Sequence, residues 1–236
     1  APGKRRGERR PPWKPLRPGI QAAYAPPVLG EVRERTLPNG LRLLALRRPG
    51  VPVLSVQALV NAGQAYEPAE QAGVAQLTGE LLDEGVEDER GRRRGAEEIA
   101  GEIEFVGGRF SCGAAGVAAK VLSEHAGTAL DLVRDLLRHP SFPRARFEAV
   151  KEDLLAEIES QDDEPDRVAR RLFYEEAFRG HPYERPASGT AASVGALTLK
   201  QVRDYHRRLF RPENTILAVV GDLDPEAVFA ELTARL

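Results

Sequence analysis

The sequence predicts an α+β fold with a mixed, largely antiparallel β-sheet and helices packed on one face. The predicted strands cluster along the chain instead of alternating one for one with helices, and this order disfavours a doubly wound parallel sheet. A long run of predicted helices in the middle of the chain supplies the covering layer. The 236 residues are 42% hydrophobic, which is sufficient for a substantial core.

The first predicted elements are three strands. Residues 32–37 and 41–46 form a hairpin, because Asn39-Gly40 between apolar runs is a strong turn signal. Residues 53–60 place apolar side chains on both faces of an alternating pattern. We therefore expect this third strand to be buried on both sides.

Helices and a second strand pair follow. Apolar residues recur at helical spacing over residues 74–81 and 99–106. Residues 110–114 and 117–122, which are separated by small residues, predict two more strands. The remaining predicted elements are helices at about residues 124–138, 144–160, 166–178 and 198–210, a strand at 214–220 and a last helix from residue 225.

Charge and composition exclude several classes of function. The net charge of −2 and a pI near 6.2 give no bulk attraction to nucleic acid or to an anionic membrane. No apolar run is long enough to cross a bilayer, so we expect no membrane span. Cys112 is the single cysteine, which excludes an intrachain disulfide framework and leaves the compartment open.

Residues 1–30 differ in composition from the rest of the chain. Seven prolines alternate there with seven lysines and arginines, and such a segment buries too little apolar area to offset its ordering entropy. We expect an extended arm over residues 1–30 and one α+β domain over residues 31–236. A tether is the favoured role, and a contact to nucleic acid or acidic lipid is the alternative.

From residue 32 onward the chain carries short motifs in a fixed order. They are Pro38-Asn39-Gly40, Asn61-Ala62-Gly63, Gly73-Val74-Ala75, Gly107-Gly108, His139-Pro140, Gly180-His181-Pro182-Tyr183, Arg211-Pro212-Glu213-Asn214 and Gly221-Asp222. Their order and spacing resemble the insulinase/pitrilysin family, which includes mitochondrial processing peptidase. The resemblance covers one of the two homologous halves of a family member and implies a metallopeptidase-like half.

The resemblance also implies that the catalytic positions have changed. Active members carry an inverted zinc motif, H-x-x-E-H, after a Gly-x-Ala sequence and take a third ligand, a glutamate, from a later helix. In register with Gly73-Val74-Ala75, Gln76 and Glu80 replace the two histidines and Gly79 replaces the catalytic base. Only Glu157, at the position of the third ligand, is retained.

These substitutions predict that the chain holds no metal and no other cofactor, and that zinc is found only in a partner subunit. Gln76, Glu80 and Glu157 offer an amide and two carboxylates, a hard oxygen set that suits zinc poorly. A weak Ca²⁺ or Mg²⁺ site is the alternative. Without a partner histidine, we interpret Glu157 as a partly exposed helix residue. The four histidines have no ligand-like spacing.

Peptide binding is a second property that the resemblance implies. Family members add an extended peptide as a strand to a sheet edge, and this mode depends on main-chain hydrogen bonds instead of a metal. The segment that resembles this edge strand consists of Arg109, Phe110, Ser111, Cys112, Gly113 and Ala114.

Together these features predict a non-catalytic subunit or domain that forms a peptide-binding chamber with a zinc-bearing homologue or a second homologous half. The alternative is a structural core subunit of a larger complex without peptidase activity. A hydrolase with a rearranged metal site is a third hypothesis, which Gly79 disfavours. The Arg- and Ala-rich composition and the start at Ala1 without any methionine favour a bacterial periplasmic or exported location.

Overall fold

The computed structural model describes residues 30–88 and 91–235, so the prediction for the arm falls, except for Gly30, outside the described residues. The strands are β1 (Val32–Thr36), β2 (Arg42–Arg47), β3 (Val53–Val60), β4 (Gly85–Glu87), β5 (Arg93–Gly95), β6 (Arg109–Gly113), β7 (Gly116–Leu122) and β8 (Thr215–Gly221). The helices are α1 (Val74–Glu80), α2 (Ala96–Phe105), α3 (Ala126–Arg138), α4 (Arg144–Ser160), α5 (Pro165–Ala177), α6 (Ala191–Ala196), α7 (Leu199–Leu209) and α8 (Pro225–Arg235).

Six strands form one sheet in the order β1-β2-β8-β3-β7-β6. Every neighbouring pair is antiparallel except β2 and β8, which run parallel. Strand β8 lies between β2 and β3 although it is the last strand in the sequence. The predicted fold class, a mixed and largely antiparallel sheet with helices on one face, is confirmed.

The burial of alternate residues in strand β3 shows that helices cover only one face of the sheet. Leu54, Val56 and Ala58 point into the core and are fully buried. The alternate residues Gln57 and Leu59 are exposed, Leu59 with half of its surface accessible. The prediction that this strand is buried on both sides is therefore wrong. The apolar residue Leu59 on the second face indicated burial there, but none of the described helices covers that face.

The helical layer packs on the buried face. Helix α3 contacts β7 and β3, and its Leu130, Val133 and Leu136 belong to the hydrophobic core. The order of predicted elements agrees with the observed order, with two additions. The sequence does not predict the short hairpin of β4 and β5, because three-residue strands give no clear alternation, and it does not predict the short helix α6.

Two local signals act in the structure as the sequence predicts. Gly40 has φ 87° at the turn between β1 and β2, a conformation that glycine adopts without strain. At the start of α7, Thr198 accepts a hydrogen bond from the Gln201 backbone, and the Gln201 side chain accepts one from the Thr198 backbone at 2.8 Å.

Within residues 30–88 and 91–235, no helix is long and apolar enough to cross a membrane.

Candidate functional site

The start of helix α1 is fixed by a buried carboxylate. Glu67 is 6% exposed and accepts hydrogen bonds from the backbone N–H groups of Gly73 at 3.2 Å and Ala75 at 2.7 Å. Burial raises the pKa of Glu67, and these two hydrogen bonds oppose the rise. Gly73 has φ 94°, and a Cβ there would lie 2.6 Å from the Ser188 carbonyl oxygen. Glu67 and Gly73 together set the orientation of the helix that carries the candidate positions.

Gln76 and Glu80, the positions of the two histidines in the resemblance, bind each other. They lie one turn apart on α1, and Gln76 Nε2 donates a hydrogen bond to Glu80 Oε1 at 2.5 Å. Burial raises the pKa of Glu80, the hydrogen bond from Gln76 lowers it, and the charges of Glu157 and Asp153 raise it further. The pair is thus half-buried and internally satisfied, with a carboxyl group that resists ionisation.

Gly79, the position of the base, lies against strand β6. A Cβ added to Gly79 would lie 2.8 Å from the Gly113 carbonyl oxygen and closer still to the Gly113 carbonyl carbon and the Ala114 nitrogen. Helix α1 and the end of β6 therefore meet backbone to backbone. No side chain fits at this position in the observed arrangement.

Glu157 lies on α4 and is half-exposed, with 51% of its side chain accessible. Its Oε1 is 3.3 Å from Arg167 Nη1 and accepts a 3.5 Å hydrogen bond from Gln161. Glu157 and Gln76 line the same cavity, so the structure brings these two predicted positions to one site. Gly79 lies elsewhere, in the contact between α1 and β6.

Zinc is the metal that the resemblance implies, and the donors at these positions do not fit it. Zinc in proteins is held by imidazole, thiolate and carboxylate groups. Here the Gln76 amide donates to Glu80, and the Glu157 carboxylate is paired with a guanidinium. Among the described residues, no group of three or more His, Cys, Asp or Glu side chains is placed to hold a metal ion.

Strand β6 lies at one edge of the six-stranded sheet and pairs with β7 along Arg109–Gly113. Ala114, which the sequence analysis included in the strand, belongs to the turn that follows. Phe110 and Cys112 pack against the core, whereas Ser111 is exposed. Burial raises the pKa of the Cys112 thiol, which disfavours the thiolate that a nucleophilic cysteine requires.

The cavity beside Gln76 and Glu157 has a volume of about 490 Å³. Helix α5 contributes Arg167, Arg170, Arg171 and Tyr174 to its wall, and these positions share one face of the helix by their spacing of three, four and seven residues. Arg185 completes this basic wall from the loop before α6.

The sequence did not indicate that the arginines of α5 and Arg185 line a common cavity. The spacing of the arginines was visible, but such a pattern usually marks a solvated helix face. Only the fold shows that this face of α5 turns toward Gln76.

Aromatic contacts hold α5 next to the loop that carries Arg185. Tyr174 stacks on Phe178 with ring centroids 5.3 Å apart, and Phe178 meets the edge of Tyr183 at 5.9 Å. His181 contacts Tyr183 at 4.8 Å. None of the thirteen residues of α5 is fully buried, so these ring contacts join a largely exposed helix to the loop. The cluster packs α5, which carries three of the lining arginines, next to the loop that carries Arg185.

The fold and the site define a class. The chain has a six-stranded sheet with one helical layer. A helix that starts at Gly73-Val74-Ala75 lines a cavity together with a glutamate of a later helix, and this arrangement is that of half a metallopeptidase fold. Residues 42–191 match the family model described as insulinase (peptidase family M16), and residues 196–234 match the model described as peptidase M16 inactive domain. The chain belongs to the insulinase family, peptidase family M16.

Individual proteins support this assignment. An uncharacterized zinc protease of Mycobacterium tuberculosis is 32% identical over 213 residues, which cover 89% of this chain and 46% of that protein. The structure of a peptidase M16 inactive domain from Pseudomonas fluorescens has a TM-score of 0.79 and 27% identity, over 87% of this chain and 51% of the other.

A third likeness supports the fold alone. The periplasmic protease PqqL of Escherichia coli has a TM-score of 0.73 at 16% identity, over 86% of this chain and 23% of the other. The chain spans about half the length of the curated relatives that it matches.

Proposed function

We propose that this chain is a non-catalytic half of an insulinase-family peptidase and forms a peptide-binding chamber with a zinc-bearing homologue. The observation that carries the proposal is the backbone contact between Gly79 and Gly113. A general base must reach a metal-bound water through its side chain, and this contact leaves no space for a side chain at that position. Peptide hydrolysis then belongs to the pair and not to this chain.

Peptide binding does not depend on the missing groups. Strand β6 is an edge strand, and an extended peptide can pair with such an edge through main-chain hydrogen bonds. Ser111 and Gly113 are small residues, which permits close approach of a second backbone. We propose Arg109–Gly113 as the edge that takes the peptide.

The second half is supplied by another chain or by a further segment. The curated relatives are about twice as long as this chain, which leaves room in them for a second unit of similar size. The uncovered face of the sheet, with Leu59, Leu122 and Val220 exposed, is a surface that a second half can shield from water. An exported location remains a prediction of the sequence.

Metal content tests the non-catalytic part of the proposal. After equilibrium dialysis against zinc, the purified chain should hold far less than one equivalent and should not cleave unfolded peptides. Zinc near one equivalent, with cleavage that a chelator abolishes, would contradict it. Stable copurification with a complex that has no peptidase, and no cleavage in any pairing, would favour the structural-subunit alternative instead.

A further inference from the structure

The cavity beside Gln76 carries an excess of positive charge. Four arginines line it against two carboxylates, Glu157 and Glu184. Both carboxylates are already engaged, since Glu157 pairs with Arg167 and Glu184 accepts a hydrogen bond from the Gly180 backbone N–H at 2.6 Å. Arg171 pairs with Glu175 at 3.8 Å, so Arg170 and Arg185 are the lining arginines for which the described residues supply no ion-pair partner.

The arginines differ in what they already bind. Arg167 pairs with Glu157 and with Glu164, so its guanidinium is committed within the wall. Arg170, one helical turn further along, has no ion-pair partner in the part of the chain that the structure describes. Arg170 is exposed at the mouth of the cavity and can receive an anion.

Arg185 supplies an independent indication of a missing ligand. Its Nη2 donates to the Glu67 carbonyl oxygen at 3.4 Å, but its Nε is buried and has no hydrogen-bond partner among the described residues. A buried donor left without an acceptor is destabilising, so native structures rarely retain one. Arg185 also lines the cavity, so a ligand oxygen that reaches this nitrogen would satisfy it.

We propose that this cavity binds a carboxylate of the peptide, with Arg170 and Arg185 as its main donors; the inference rests on the proposed peptide-binding function. A carboxylate matches the fork geometry of guanidinium groups and carries the charge that the wall lacks. The cavity volume of about 490 Å³ lies within the usual range of ligand sites. The carboxylate comes from an Asp or Glu side chain or from a free peptide C-terminus.

Isothermal titration calorimetry of the whole chain with three peptides tests the site. All three share one apolar extended sequence: one is amidated with a central Asp, one is amidated with Asn at that place, and one has Asn and a free C-terminus. We expect the Asp peptide or the free-acid peptide to bind at least about five-fold more tightly than the neutral peptide, as one charge-assisted contact provides. Whichever of these two peptides binds more tightly than the neutral peptide identifies the source of the carboxylate.

Variants assign the effect to the cavity. Arg170→Gln should abolish most of the preference for the carboxylate while the affinity for the neutral peptide changes less than about two-fold. Arg179→Gln is the matched control, because Arg179 lies just beyond the same helix, is exposed, and pairs with Glu176 outside the cavity. The control should keep the full preference.

Three outcomes would overturn the site, and they differ in what else they affect. Equal binding of all three peptides would overturn the carboxylate site and leave the peptide-binding function standing. Absence of binding for every peptide would overturn both. A preference that survives in Arg170→Gln as fully as in Arg179→Gln would also contradict the assignment.

Discussion

Gly79 lies where α1 crosses the end of β6, and its lack of a side chain sets the distance between these elements. Glycine in a helix interior costs about 0.5–1 kcal/mol relative to alanine, so the residue is not there for helix stability. The close packing of α1 against the end of β6 offsets this cost in helix stability. The same contact excludes a glutamate, so in the proposed non-catalytic role the packing and the absence of a base at this position have one cause.

Substitution of Gly79 should therefore be destabilising although helix propensity favours it. Gly79→Ala places a Cβ against Gly113 and Ala114, and we expect a loss of about 1–3 kcal/mol in the free energy of unfolding. Gly101→Ala is the control, because Gly101 lies exposed in α2 with nothing within 4 Å of an added Cβ. Urea unfolding should show a gain for this control, and equal gains for both variants would contradict the packing role.

Glu80 gives the protein a pH-dependent stability term. Since burial raises its pKa above the ordinary 4.5, its contribution to stability is fully present below that value and is lost as the pH rises through the raised pKa. Glu80→Gln cannot ionise and retains an oxygen to accept the Gln76 hydrogen bond. This variant should be more stable than the parent at about pH 8, and the advantage should shrink as the pH falls toward 4.5.

Unfolding measured across this pH range checks the effect. Glu152→Gln serves as the control, since Glu152 is an exposed residue on α4. A stabilisation by Glu80→Gln that does not vary with pH, or one that Glu152→Gln shares, would assign the gain to something other than the buried charge.

At the residue scale, the sequence predicts which positions correspond to the zinc motif but not which contacts they make. Gln76, Gly79 and Glu80 follow from a count along the chain. The ion pair between Glu157 and Arg167 links α4 and α5, two helices that four residues of the chain connect. No sequence pattern predicts the angle between these helices that brings the two side chains together. The unsatisfied Nε of Arg185 is visible only once burial is known.

At the scale of elements, the short helix α1 depends on Glu67. Seven residues form a marginal helix, so its start needs an external partner for the free N–H groups. Glu67 provides it from the preceding loop through bonds to the backbone of Gly73 and Ala75. The orientation of Gln76 toward the cavity thus follows from a carboxylate nine residues earlier.

Loss of this carboxylate should loosen α1. Glu67→Ala leaves two buried N–H groups without acceptors, and we expect a loss of about 1–3 kcal/mol, with faster amide exchange at Gly73 and Ala75. Glu70→Ala, at an exposed position in the same loop, should change stability by less than about 0.5 kcal/mol. Unchanged exchange in Glu67→Ala would refute the capping role.

Local elements were predictable where their signals are local. The Asn39-Gly40 turn and the Thr198 capping box each lie within a few residues, and both appear where the sequence places them. The insertion of β8 between β2 and β3 is a pairing over a long sequence distance, and periodicity contains no information about it. The short hairpin of β4 and β5 is stabilised by a buried ion pair of Arg94 with Asp135, which strand propensity does not report.

At the scale of the whole molecule, the described residues form one core and leave two surfaces of the sheet uncovered. The helices bury one face of the sheet, and the other face and the β6 edge are open in the described part of the chain. The relatives that it matches are about twice as long. A second half is therefore the component that the proposed chamber requires.

Cleavage by the reconstituted pair tests the central claim most directly. An unfolded peptide is incubated with the chain alone, with a homologue that carries an intact H-x-x-E-H motif, and with both, and product is measured over time. We predict no cleavage by the chain alone, little by the homologue alone, and chelator-sensitive cleavage by the mixture. Cleavage by the chain alone, or a homologue whose rate the chain does not change, would contradict the account.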